Sequence, residues 1–558
     1  VSARQLYLFG PGIDLTVIAG GLTFILFPLA LMFASQLSVT AFLLLLFVCN
    51  YPHYMATNYR IYRNRSQIER YKIFSIYITG LLALTALIGH LMAAVWVKIL
   101  YTIYFTWSPY HYSGQNYGIA LMYLRRGGVE PSQRERHLLY ATFICCFLIY
   151  IASINADSGM AAVFPFQSIG IPRDIVRVLY LALLATAIAC GAGFLWGVAP
   201  RAPRQALTPV LLLIGSQFAW FAAATGVPIF SKDLGLQALP IDALFPTIAF
   251  LHCAQYLGVT AYYAKRDDAA AHRAFSFWRY FAALIVGGVF LWIGTTRVLS
   301  EVFSLDYGIS FLIMLSLINI HHFLMDGAIW KLRDGRLAQL LIAPAAPARA
   351  PSGGAMPAGT SARQRRKARH ADRETAPTQP VRVAEPPTPW WRTPAWAAAC
   401  LMALALAGTD IYYRIGILRA GEISRTGDAQ GAVSLYNSIF GLNPRVSEAL
   451  DGLGFWSLRA GKVDDAVQQW SHSLALNPTE TSVYAHIGLG EAYLRKGRVD
   501  DAIHHLELAT QMRPEEQSSY VLLASAYERR GDHAKAEAIR AQAAKVAPAS
   551  AKAPRVFY

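Results

Sequence analysis

Residues 308–332, GISFLIMLSLINIHHFLMDGAIWKL, decide the fold class of this chain. A run this long and apolar reads as a helix that crosses a bilayer, which needs about 20 residues at a rise of ~1.5 Å each. It closes on Lys331, Arg333 and Arg336, a basic end of the kind that stays on the cytoplasmic side. Within it stand His321, His322 and Asp326. Ionisable groups are costly in such a setting, so they read as functional rather than incidental.

Nine comparable runs precede it, at roughly 15–35, 38–58, 73–95, 98–124, 137–156, 175–198, 206–227, 242–264 and 278–298. Composition agrees: of 558 residues, 55% are hydrophobic and 15% charged, with a mean hydropathy of +0.33. That is too apolar for one soluble fold of this length. The loops after the even-numbered runs carry the cations, such as Arg60, Arg63, Arg65, Arg70 and Lys72 after the second and Lys265, Arg266 and Arg273 after the eighth. The opposite loops hold single ones, Lys98, Arg173, Lys232 and Arg297. The expectation is a multi-pass protein of the bacterial inner membrane with a cytoplasmic N-terminus, its first run serving as an uncleaved anchor. Topology also accounts for the net charge of +16, so no specific nucleic acid is expected as a partner. All six cysteines fall in apolar runs, which argues against a disulfide framework.

The rest divides by composition. Residues 1–335 form the expected polytopic domain, and 336–392 a disordered Pro/Ala-rich linker carrying Arg363, Arg365, Arg366, Lys367 and Arg369. Residues 393–413 give an eleventh crossing, with Trp390, Trp391 and Trp396 at the interface and Asp410 near the far end. Everything after it, the repeat segment 413–548 and a tail at 549–558, is then expected on the periplasmic side.

In that last segment Pro444, Pro478, Pro514 and Pro548 recur at spacings of 34, 36 and 34, and Gly427, Gly461, Gly497 and Gly531 keep the same spacings. Ala432, Ala466, Ala502 and Ala536 sit at a fixed offset between them, and Leu453-Gly454, Leu489-Gly490 and Leu523-Ala524 precede the later glycines. The pattern resembles the tetratricopeptide repeat family, with Arg419-Ala420 departing from it in the first repeat. The resemblance implies an α-solenoid of about four helical hairpins whose concave groove binds a protein partner. Trp456, Trp470, Tyr484, Glu491 and Tyr493 could line that groove, although most are expected between the helices. The fold class is therefore all-α: a polytopic helical domain of about ten spans, an eleventh span and a C-terminal solenoid.

The chemistry-bearing residues lie in the first part. His53, His111, His252, His321 and His322 stand seven, fourteen, thirteen, ten and nine residues before Arg60, Arg125, Lys265, Lys331 and Lys331, on four runs that point the same way. At ~1.5 Å per residue they share a depth of roughly 10 to 20 Å inside the cytoplasmic face. Four of them have a polar neighbour one helical turn away: Asn50 for His53, Gln115 for His111, Gln255 for His252 and Asp326 for His322. Imidazoles oriented in this way suit iron, zinc or copper, with Asp326, Gln115 and Gln255 as candidate catalytic groups. A polar packing layer is the plain alternative. The histidine set is loosely similar to the bacterial beta-carotene dioxygenase family, whose histidines surround a non-heme iron. The desaturase boxes HxxxH and HxxHH are absent.

The expected function is metal-dependent redox or hydrolytic chemistry on a membrane lipid or isoprenoid, coupled to a protein-binding repeat domain. The alternatives are a non-catalytic assembly scaffold and a heme-binding electron carrier. A lipid-linked glycosyltransferase is disfavoured, because the first outer loop, Ser35 to Ser38, holds no carboxylate.

Overall fold

The computed structural model describes residues 6–32, 45–156, 166–230, 241–331, 335–342, 393–477, 482–514 and 516–546. The linker 343–392 with its basic run and Trp390–Trp391, the 549–558 tail, the Ser35–Ser38 loop, Lys232, Arg333, Pro478 and Pro548 lie outside the described residues. The described chain is all-helical, without a strand; one parallel bridge pairs Ala156 with Ile171.

Helices fall at the positions read from the apolar runs. Among the described residues, seven helices are long and apolar enough to cross a membrane: Ile73–Leu91, Gln133–Ile154, Arg173–Val198, Arg204–Gly226, Phe277–Val302, Tyr307–Ile329 and Pro394–Thr426. The pair Pro11–Ile18 and Thr23–Leu29, bent by 44°, makes an eighth if counted as one. Three further helical stretches, 46–62, Ala93–Arg126 and Ile241–Ala270, are outside that set. They carry His53, His111 and His252, together with Asn50, Gln115, Asn116 and Gln255.

The Tyr307–Ile329 helix is the axis of this half. It packs in the largest core cluster, among Trp220, Trp292, Phe105 and Leu251, and most of its own residues are buried. At its Trp330 end, Arg60 stacks over the Trp330 and Tyr263 rings and donates to the Ile329 carbonyl, while Arg63 and Arg273 pair with Asp268. At the same end Arg126 donates to the carbonyls of Leu6, Tyr7 and Leu341, pinning the N-terminal segment and residues 335–342 together.

The other end of this helix meets the repeats. Asp306 caps it by accepting from Ile309 N and also accepts from Ser447 N, both at 3.0 Å. Backbone bonds of 2.8 Å run from Asp306 N to the Leu476 carbonyl and from Tyr307 N to the Arg445 carbonyl. Asp410, awkward in an apolar run, is accounted for here: its carboxylate accepts from Tyr307 Oη at 2.8 Å and from Arg414 Nε at 2.9 Å.

Pro394–Thr426 is one unbroken helix, so the apolar run continues into the first repeat. Three more hairpins follow, 447–476, 483–512 and 517–545. Gly427, Gly461, Gly497 and Gly531 all have φ between 73° and 89°, the left-handed turn that only glycine adopts freely. Ala432, Ala466, Ala502 and Ala536 are wholly buried where paired helices meet. Trp470, read as a possible groove residue, is instead core: its indole packs against Gly454 and Gly488, where a larger residue would collide. Trp456 and Tyr493 are half-buried and Tyr484 is exposed.

Candidate metal centre

Four of the five histidines meet. His53, His111, His252 and His322, from four helices distant in sequence, place one ring nitrogen each within 4.8 Å of all the others. Their rings close edge to face, with centroids 4.3 Å apart for His53 and His322, 5.0 Å for His53 and His252, 5.1 Å for His111 and His252, and 4.9 Å for His111 and His322. His53, His252 and His322 are at most 1% exposed. The Asp326 carboxylate lies beside them, with Oδ2 3.5 Å from His322 Nε2 and 3.9 Å from His111 Nε2.

Supporting hydrogen bonds hold two of the rings. Thr57 Oγ1 donates to Asp326 Oδ1 at 2.9 Å and stands 2.9 Å from His322 Nδ1 and 2.6 Å from Tyr256 Oη. His322 Nδ1 is engaged there, and Nε2 is the unpartnered nitrogen on the cluster side. The second case runs in parallel. Cys253 Sγ donates to Asn50 Oδ1 at 3.6 Å and meets His53 Nδ1 at 3.4 Å, which leaves His53 Nε2 as its unpartnered nitrogen. Tyr256 Oη donates to Asp326 Oδ1 at 2.8 Å and accepts from Trp330 Nε1 at 2.9 Å, holding the carboxylate from behind.

The donor set fits a cation. His53 Nε2, His111 Nε2, His322 Nε2 and both nitrogens of His252 are buried without a hydrogen-bond partner among the described residues. Each such group costs on the order of 1–3 kcal/mol when left unpaired, and one ion would satisfy a nitrogen of every ring. With one nitrogen of each ring within 4.8 Å of all the others, His53, His111, His252 and His322 would hold a single ion.

The remaining expected site residues are placed differently. His321 is not part of the cluster: it faces the other side of its helix and its Nε2 meets Thr79 Oγ1 at 2.9 Å, because adjacent helical residues point about 100° apart. Gln115 and Gln255 do not steady the rings by the bonds they make. Gln115 Nε2 donates to Gln255 Oε1 and to the His252 carbonyl, both at 3.3 Å. The orienting residues missed in the sequence, Thr57 and Tyr256, each stand four positions after a cluster histidine. The spacing rule that singled out amides and carboxylates would have found these hydroxyls too.

Residues 457–515 and 487–554 match the family model described as tetratricopeptide repeat, so this segment is a repeat domain of the protein-interaction type. Similar solved structures include a thermophilic TPR protein of Thermus thermophilus, 23% identical over 25% of this chain and 74% of that one, with a TM-score of 0.22. A MamA protein is 22% identical over 28% of this chain and 85% of its own, TM-score 0.22. MamA from Desulfovibrio magneticus RS-1, from residue 41 onward, is 20% identical over 28% and 88%, TM-score 0.22. No curated protein matches the chain. The resemblance to beta-carotene dioxygenases rests on the histidines alone.

Proposed function

We propose that the protein is an inner-membrane metalloprotein whose four-histidine centre acts on an apolar substrate, with a repeat domain that recruits a protein partner. The observation that carries this reading is the convergence of four buried imidazoles, each with an unpartnered nitrogen, beside a carboxylate held by Thr57 and Tyr256. His90, which stands alone, has Nδ1 on the Ala86 carbonyl at 2.7 Å and Nε2 unpartnered as well, so the convergence of four rings is what separates this site from a polar packing layer. His53, His111, His252 and His322 would hold the ion, and Asp326 would orient or accept a proton from a molecule bound beside it. Iron, zinc or copper bound there supplies activation of dioxygen or water.

The same reading sets the repeats outside the cytoplasm. The repeats contact the Asp306 end of the Tyr307–Ile329 helix, and the arginine-rich end lies 23 residues away, roughly 34 Å along the axis. That separation supports placing the basic loops and the repeats on opposite faces of a bilayer. Metal analysis with an absorption spectrum of the detergent-purified full chain tests the proposal. The expected result is stoichiometric metal without a Soret band. A metal-free protein from metal-replete cells would leave the scaffold reading in its place.

A further inference from the structure

His111 is the member of the cluster nearest the outside: its side chain is 10% exposed, against 1% for His322. One turn before it on the same face is Trp107, which lines an open groove of about 430 Å³ together with Thr102, Ile103, Thr106, Tyr110 and Phe147. The volume is in the range of small-molecule clefts. No lining residue carries a charge, and the groove lies on the outer surface of the bundle between the Ala93–Arg126 and Gln133–Ile154 helices. Ile103 and Tyr110 are 43% and 42% exposed there.

An unbroken aromatic path joins this groove to the histidines. Trp107 contacts Phe323 with centroids 6.0 Å apart, and Phe323 stacks on His111 at 4.7 Å and 29°. Phe323 follows His322 directly in the chain, so one short segment supplies both a candidate ligand and the wall that separates it from the groove.

We propose that the groove is a side door through which the hydrocarbon chain of a bilayer lipid approaches the histidine cluster, with Trp107 and Phe323 as the leaf. The proposal rests on the metal-centre reading and names its substrate class. An uncharged, aromatic-walled groove opening sideways from a membrane-type bundle excludes charged solutes and matches a flexible apolar chain. The groove extends from Tyr110 back to Thr102, eight residues or roughly 12 Å along the helix, so a chain lying in it points its inner end at His111.

The test uses the full chain in phosphatidylcholine vesicles doped with phosphatidylcholine bearing a mid-chain diazirine, photolysed and mapped by mass spectrometry. Adducts at Ile103, Thr106 and Phe147 are expected to exceed several-fold those at Leu181 and Trp196, which are exposed apolar residues on the Arg173–Val198 helix. Thr106→Trp, which fills the groove, should bring them down to the Trp196 level with metal content unchanged; Ile103→Trp, at a more exposed position, does the same if the first variant folds poorly. Trp107→Ala should carry labelling inward to the peptide containing Phe323. Equal labelling at the groove and at Trp196, or adducts indifferent to both fillings, would overturn the proposal. Metal is measured on the same samples, so a metal-free protein with groove adducts would refute the centre alone.

Discussion

Gly488→Ala should destabilise the repeat domain by about 1–3 kcal/mol, the usual cost of one extra carbon in a filled core. The Trp470 indole is wedged between two repeats. A Cβ built on Gly454 would stand 2.6 Å from Trp470 Cε2, and one on Gly488 would overlap the same ring. Trp470 is only 3% exposed and packs against Leu458, Ala466, Ala485 and Leu489, so the ring has nowhere to retreat. Urea unfolding of segment 413–558 reads the effect through the fluorescence of Trp456 and Trp470, the two tryptophans in that segment. A loss of about 2 kcal/mol moves the midpoint down by roughly 0.7–2 M at typical slopes. Gly441→Ala is the control, because nothing lies within 4 Å of its position and helix propensity alone should raise stability slightly. Combining Gly488→Ala with Trp470→Leu should cost less than the two changes summed, since the smaller side chain vacates the contested space. If Gly488→Ala matches the control, or the pair is additive, the close approach inferred between these repeats is wrong.

Other consequences are open to direct measurement. Tyr256→Phe removes the hydroxyl that holds Asp326 and should weaken metal affinity about 10–100-fold without changing helix content, as read by competition with a chelator. Reporter fusions should give a cytoplasmic signal near residue 360 and an external one after 558; two cytoplasmic signals would remove the crossing at 394–413 and put the repeats on the side of the arginines. In the repeats, His505 Nδ1 lies 2.9 Å from His486 Nδ1, and burial, with His486 and His504 nearby, pushes His505 down to about 4. A histidine lowered in the folded state binds its proton more readily once unfolded, so its contribution is intact above about pH 6.5 and declines from there toward pH 4. His505→Phe should flatten the pH dependence of repeat-domain stability in that window.

The chain exposed its architecture more readily than its site. Helix positions followed from apolar runs bounded by basic loops, and the repeats from Gly427, Gly461, Gly497 and Gly531, because a left-handed turn leaves glycine little competition. Depth along parallel helices brought out His53, His111, His252 and His322, since rise per residue converts sequence offset into height. Height says nothing about azimuth, which is why His321 entered the set although its ring turns to Thr79. Nor could spacing within one helix reveal that Thr57 serves His322, 265 residues away, or that Cys253 serves His53. Trp470 was ambiguous for a related reason: helical periodicity marks a buried face without saying whether it meets a neighbouring helix or a bound partner.

Metal content of single-site variants of the purified full chain shows whether His53, His111, His252 and His322 share one ion. Replacing His53, His111, His252 or His322 by Ala should in each case abolish stoichiometric metal, because the donors act on one ion and the loss of any one weakens the whole site. His321→Ala and His90→Ala should retain it, as both rings are turned to other partners. Full metal in any of the first four variants, or equal loss in all six, would contradict the account.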